Sequence, residues 1–143
     1  MRASAIFLII LLAAQLAGQC AVAQTPQAEV QRLIQRARAG DAAAQTQLGF
    51  NYQNGIVVAQ SDTEAFKWYR RAADQGFAIA QSNLGVMYAS GRGVSKDLTE
   101  AYMWYALAKA VRQIESLEPN MTRQQIAAAK QRAAEWPRTH KKN

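Results

Sequence analysis

An internal repeat with a period of 36 residues constrains this chain more than any other feature of its sequence. One short segment occurs twice with identical residues at its key positions: Ala65, Trp68, Tyr69 and Ala72, then Ala101, Trp104, Tyr105 and Ala108. The spacing i, i+3, i+4, i+7 places these residues on one face of an α-helix. A fixed period of this length indicates stacked supersecondary units that bury a continuous core between neighbours.

The whole period is repeated, which defines two units, residues 40–75 and 76–111. Fifteen of the thirty-six aligned positions are identical. The repeated positions include Leu48, Gly49, Tyr52, Gly55, Trp68 and Tyr69 in the first unit, and Leu84, Gly85, Tyr88, Gly91, Trp104 and Tyr105 in the second. Because large aromatic side chains at helical spacing dominate packing between helices, the Trp-Tyr pairs are predicted to lie in the core.

Each unit is predicted to contain two helices. Gly55 and Gly91 follow the last apolar position of the first helix, where a left-handed C-cap is common. The second helix begins with a capping box, in which Ser61 or Asp97 precedes a glutamate by three residues. Helices alone therefore account for both units, and the predicted fold is all-α.

The segments that flank the repeats are predicted to cap the array. Residues 24–39 have the spacing of one helix without a partner, and residues 112–137 form a connector and a second capping helix. The last helix of the second unit is expected to continue through Val111 towards Ile114. A capping box at Thr122 starts the final helix, and Pro137 is expected to end it. The prediction is a short right-handed α-solenoid with capped ends and a disordered tail, residues 138–143.

Residues 1–23 are typical of a secretory signal peptide. Arg2 supplies a positive charge, an apolar run extends from Ala5 to Ala17, and small residues precede Gln24. We expect cleavage after Ala23 and export to the periplasm; the alternative is an uncleaved membrane anchor. The apolar run is shorter than the roughly 20 residues of a transmembrane helix, and no later stretch approaches that length. The only cysteine, Cys20, lies inside this segment and is expected to leave with it unless it is lipidated.

The positive charge is concentrated at the C-terminal end. The chain has a net charge of +7, of which residues 121–143 hold +5 and residues 24–120 only +1. An exported protein is not expected to meet nucleic acid, so this end either contacts an anionic lipid or polymer surface or is simply a solvated tail.

The sequence contains no constellation that indicates catalysis. The only histidine is His140, and no cysteine remains outside the signal segment, so a Ser-His-Asp triad and a zinc site are both unexpected. No glycine-rich nucleotide loop is present. Glu64 and Glu100 recur, but their capping position favours a structural role over acid–base chemistry. We therefore predict a protein that is not an enzyme and has no cofactor or metal.

A binding groove is predicted on the first helix of each unit. Ala44, Leu48 and Tyr52 face the core, so a second stripe beginning at Ala43 is expected to face the concave side of the solenoid. The predicted stripe is Ala43, Thr46, Phe50 and Gln53 in the first unit, and Ile79, Ser82, Val86 and Ala89 in the second. These mildly apolar residues suit an apolar peptide segment or helix of a partner protein. The alternative is that the capping helices cover this stripe.

Both units resemble the Sel-1-like repeat, a relative of the tetratricopeptide repeat. The resemblance rests on Ala44-x-x-x-Leu48-Gly49-x-x-Tyr52-x-x-Gly55 followed by Ala65-x-x-Trp68-Tyr69, and on Gly91-x-Gly93-Val94 in the second loop. In the first loop Val57 replaces the second glycine, and Ser61 replaces the aspartate of the family pattern. The resemblance implies a solenoid scaffold that binds proteins or peptides, often in an exported bacterial protein.

Some cysteine-rich members of this family are associated with β-lactams. This chain lacks their paired cysteines, so hydrolysis of a β-lactam or a cell-wall substrate is the most remote alternative.

Overall fold

The computed structural model describes residues 25–140, and every element within them is helical. The helices are α1 (Pro26–Arg38), α2 (Ala42–Asn54), α3 (Asp62–Asp74), α4 (Ala78–Ser90), α5 (Leu98–Leu107), α6 (Val111–Leu117) and α7 (Arg123–Thr139), with a short 3-10 helix, Glu118–Asn120, before α7. The predicted signal peptide and the last three residues lie outside the described part of the chain.

The helices follow the sequence period closely. Helices α2 and α4 each contain 13 residues and begin 36 positions apart, at Ala42 and Ala78. Helices α1 and α3 show the same offset and length, from Pro26 and Asp62. Helix α1 therefore occupies the second-helix position of an incomplete unit. The pairs α2–α3 and α4–α5 stack as a short α-solenoid, which confirms the predicted fold class.

A glycine allows the two helices of each pair to approach closely. A Cβ atom on Gly49 would lie 2.8 Å from ring carbons of Tyr69, and one on Gly85 would lie 2.5 Å from those of Tyr105. Real Cβ atoms do not come so near another heavy atom, so each tyrosine ring packs where a larger residue would stand. Tyr69 and Trp104 are fully buried, and Trp68 and Tyr105 are nearly so.

The loop of each unit lies beside the start of the preceding second helix, and the loop of the second unit is held there by direct contacts. A Cβ atom on Gly93 would collide with the backbone carbonyl of Asp62, and Arg92 pairs with the Asp62 carboxylate at 2.8 Å. In the first unit Ile56 and Val57 line a pocket with Pro26, which is the position equivalent to Asp62. Val57 has φ 60 and Gly93 has φ 69, so both loops turn in the left-handed region despite the substitution.

The chain after α5 differs from the prediction. Helix α5 ends at Leu107, and Lys109 turns the backbone at φ 57, so it does not continue towards Ile114. This turn starts α6 as a separate helix and brings Leu117 into the cluster that contains Tyr102 and Tyr105.

Pro137 does not end α7, contrary to the prediction. Residues 138 and 139 of the predicted disordered tail are helical. Proline removes one backbone hydrogen bond of a helix, but the helix resumes beyond it, and the His140 N–H donates to the Trp136 carbonyl at 3.1 Å. Trp136 holds this turn against the core by an edge contact with Trp104, with ring centroids 6.0 Å apart.

Candidate binding groove

A groove opens between the first helices of the two units. It has a volume of about 300 Å³ and is lined by Ala43, Thr46, Gln47, Phe50, Phe77, Ile79 and Asn83. The large apolar side chains on these two helices are exposed, with 46% of Phe50, 61% of Ile79 and 42% of Val86 accessible to solvent. Among the described residues, α1 packs on α2 and α7 packs on α5, and neither capping helix covers these side chains.

The structure places Ala43, Thr46, Phe50 and Ile79 of the predicted stripe in the groove lining and leaves Gln53, Ser82, Val86 and Ala89 outside it. Thr46 contributes to the lining but is 8% exposed, and its hydroxyl donates to the Ala42 carbonyl at 2.8 Å. Gln53 accepts a hydrogen bond from the Tyr69 hydroxyl at 2.9 Å, which holds it against α3. Ser82 is half-buried and lies outside the lining. These three residues are therefore less available to a partner than predicted.

The solvent-exposed stripe on these two helices follows the spacing i, i+4, i+7, i+11, and its N-terminal residues line the groove. On α2 and α4 these positions are exposed or partly exposed: Ala43, Gln47, Phe50 and Asn54, and Ile79, Asn83, Val86 and Ser90. The predicted stripe used i+3 and i+10 instead. Both choices fit a 3.6-residue turn, and only the packing against α3 and α5 decides between them.

Two amide side chains in the groove were absent from the sequence prediction. Gln47 and Asn83 occupy equivalent positions in the two units, and both belong to the lining. Gln47 donates to the Asn51 side chain at 3.2 Å, whereas no described residue bonds to the Asn83 amide. Because one unit has glutamine and the other asparagine here, an alignment that counts only identical residues overlooks the position. An alignment that also counts chemically similar residues would have found a side-chain amide in both units.

The lining of the groove is mostly apolar. None of its lining residues is charged, and the side-chain amides of Gln47 and Asn83 offer hydrogen-bond donors and acceptors beside apolar walls. Such a surface suits apolar side chains and uncharged backbone groups of a partner. Within residues 25–140 no cluster of His, Asp or Glu has the arrangement of a metal site.

Glu64 and Glu100 do not accept hydrogen bonds from the N–H groups of their N-cap residues, so the two predicted capping boxes are incomplete. Ser61 and Asp97 cap their helices, but their own N–H groups donate to the carbonyls of Tyr52 and Tyr88. Glu64 pairs with Lys67 instead, and Glu100 pairs with Arg132. The predicted box at Thr122 is complete, since the Gln125 side chain accepts from the Thr122 N–H at 2.8 Å.

Part of the basic C-terminal end is held by contacts within the chain. Arg132 of α7 forms an ion pair with Glu100 of α5 at 2.5 Å, which docks the capping helix on the array. His140 stacks on Trp136 with ring centroids 4.4 Å apart. Arg123, Lys130 and Arg138 remain exposed on α7. Contact of this end with an anionic surface stays a prediction. In the part of the chain with described coordinates, no helix has the length and apolar character of a membrane span.

Repeated helix pairs with tyrosine rings packed on glycines define an α-solenoid repeat protein. Comparison with protein families then names the repeat: the Sel1 repeat matches residues 42–77 and 78–110. The chain therefore carries two Sel1 repeats, as its sequence predicts. Sel1-repeat proteins generally act as protein-interaction modules and are typically not catalytic.

Two solved structures are similar to this chain. One is a protective antigen present in uropathogenic Escherichia coli strains that displays an SLR fold, with a TM-score of 0.76 and 27% identity over 80% of this chain. The other is a Sel1 repeat protein from Oxalobacter formigenes, with a TM-score of 0.55 and 32% identity over 90% of this chain. The chain spans 26% and 54% of the lengths of these two proteins. A comparison with curated protein sequences finds no match.

Proposed function

We propose that this protein is a non-catalytic adaptor that binds an apolar segment of a partner protein in the groove between α2 and α4. The exposure of Phe50 and Ile79 in one uncharged groove carries the proposal. Fully burying an exposed Phe contributes about 1.5–3 kcal/mol, and because 46% of Phe50 and 61% of Ile79 are exposed, each would contribute roughly half of that to the affinity. The amides of Gln47 and Asn83 would bond to the partner's backbone and fix its register.

The proposed location is the bacterial envelope. The support is the composition of residues 1–23, which matches a secretory signal, and the resemblance of the repeats to those of exported bacterial proteins. In this setting the adaptor would meet its partner outside the cytoplasm. A fusion of residues 1–23 to a reporter that is active only after export tests the location, and a reporter that stays inactive contradicts it.

Site-specific photocrosslinking tests the groove. A benzophenone amino acid is placed at position 50 in one variant and at position 111 in another. Val111 is the matched control, because it is 60% exposed and apolar but lies outside the groove lining. After irradiation in the native host, position 50 should yield one crosslinked protein that position 111 does not.

Two substitutions extend this test. Phe50→Asp should abolish capture of the crosslinked protein by the purified chain, whereas Val111→Asp should leave it intact. Because an apolar contact is not screened by ions, capture should also be equal at low and high salt. Equal capture by the two variants would contradict the groove, and loss at high salt would favour contact through the basic end.

A further inference from the structure

The groove between α2 and α4 continues onto the N-terminal end of the array. A pocket of about 250 Å³, here called the end pocket, lies between α2, α1 and the first loop. Gln47 belongs to the lining of both the groove and the end pocket, so the two spaces meet at its side chain. The apolar wall of the end pocket is formed by Pro26, Val30, Leu33, Ile56 and Val57.

The end pocket lies where the array has an open end. In the 36-residue period Leu33 corresponds to Tyr69, whose ring is fully buried against Gly49 of α2. Among residues 25–140 no helix precedes α1 to cover Leu33 in the same way, and its side chain is partly exposed. A surface that is buried inside the array is therefore accessible at this end.

The first loop adds two exposed apolar side chains to this surface. Ile56 and Val57 are 43% and 48% exposed. Their counterparts in the second loop, Arg92 and Gly93, both contact Asp62 and offer no comparable apolar wall. A β-branched residue rarely adopts a φ of 60, yet Val57 does so and its side chain lines the end pocket.

The side chain of Gln47 stands between the groove and the end pocket. It is exposed, and its Nε2 donates to the Asn51 side chain at 3.2 Å, which orients the amide. Its Oε1 accepts no hydrogen bond from a described residue and can accept one from a backbone N–H of a partner. A helix bonds its backbone groups internally, whereas an extended segment leaves them free. Gln47 therefore favours an extended segment.

We propose that one extended segment of the partner crosses α2 and places an apolar side chain in the groove and another in the end pocket. This inference rests on the proposed function, because the groove supplies the site of the first anchor. Glu29 is the one charged residue in the described lining of the end pocket, and it would repel an acidic residue beside the second anchor.

The width of α2 sets the spacing of the two anchors. A helix with its side chains is about 10–12 Å across. Side chains return to the same face after three residues, about 9 Å, in polyproline II geometry, and after four residues, about 13 Å, in a β-strand. The two anchors should therefore lie three or four residues apart in the partner.

Selection from a library of random dodecamer peptides displayed on phage tests this spacing. The target is the protein purified from its native host. Enriched peptides should share two large apolar residues, three or four positions apart, without an acidic residue beside both of them. A shared spacing of about seven positions, which is two turns of a helix, would overturn the extended segment.

One enriched peptide, labelled with fluorescein, then assigns the end pocket by fluorescence polarisation. Val57→Asp should raise its Kd at least about tenfold, because a carboxylate would replace part of an apolar wall. Aspartate adopts a positive φ more readily than valine, so this variant should fold, and circular dichroism verifies that it does. Val111→Asp is the matched control and should leave the Kd unchanged, since Val111 is exposed and lies outside both linings.

A double-mutant cycle locates the second anchor. Replacing that anchor of the peptide with serine should weaken binding to the native protein at least about tenfold, but should weaken binding to the Val57→Asp variant little further. If Phe50→Asp weakens binding and Val57→Asp does not, the extension is wrong and the groove stands. If no peptide is enriched, or neither variant changes binding, the extension and the groove are both contradicted. A dimer that Val57→Asp dissociates would place a second copy in the end pocket and also overturn the proposal.

Discussion

Replacing Gly85 with alanine tests how closely the helices of each pair must approach. The added Cβ would lie 2.5 Å from the Tyr105 ring, about 0.9 Å inside the 3.4 Å at which ordinary contacts begin. Tyr105 is 4% exposed and has no open space to move into. Overpacking of a core costs about 1–3 kcal/mol, whereas alanine gains about 1 kcal/mol over glycine within a helix.

Because this overlap is deep, the clash should outweigh the gain. The net loss of unfolding free energy should be about 1–2 kcal/mol, which corresponds to a fall in Tm of roughly 4–8 °C. The same substitution at Gly49 should cost less, since its Cβ would lie 2.8 Å from Tyr69. Urea unfolding followed by circular dichroism measures both losses.

A double-mutant cycle with Tyr105→Leu shows whether the ring causes the loss. In that background the ring is absent, so Gly85→Ala should become neutral or stabilising. If Gly85→Ala raises stability in the native chain, the close approach is not needed. If its cost is unchanged in the Tyr105→Leu background, a different contact causes it.

Three further predictions concern the core, the loop and alkaline pH. Trp104→Ala should lower the unfolding free energy by about 3–5 kcal/mol, and an unchanged urea midpoint would refute its core position. Gly93→Ala should lower the unfolding free energy, because the added Cβ would meet the Asp62 carbonyl and the residue has φ 69. Val57→Ala, at the equivalent position of the first loop, should be tolerated because Val57 is exposed. Burial raises the pKa of the Tyr69 hydroxyl from its ordinary value near 10 to about 12. The neutral hydroxyl therefore stabilises the folded state fully below about pH 10, and this stabilisation is lost as the pH rises towards 12. Urea midpoints between pH 8 and 12 should show this decline, and Tyr69→Phe should make it smaller.

Local chemistry and the 36-residue period predict most of the fold. Gly55 and Gly91 adopt the left-handed C-cap expected of them, and Thr122 forms its capping box. These features depend on residues within one or two helical turns of each other. The identical positions of the two units also predict the solenoid, because the same contacts must be made twice.

The orientation of the groove could not be predicted in the same way. Whether Thr46 or Gln47 faces the groove depends on how α2 rotates against α3, and that rotation is decided by the contact of Tyr69 with Gly49. The end of α5 depends likewise on the turn at Lys109, a residue with no intrinsic preference for a positive φ. The contact of Trp136 with Trp104 depends on how α7 packs on α5, which no local pattern in the sequence determines.

The loop contacts give the array a direction of assembly. The second loop is held at Asp62 by Arg92 and Gly93, and the first loop lines a pocket together with Pro26 of α1, so each loop lies beside a helix that precedes it in the chain. A ribosome or an export channel releases a chain from its N-terminus, and each loop of this protein then emerges after the helix that will hold it. Removal of α1 should therefore disturb the first unit more than removal of α7, which packs on α5 at the other end of the array.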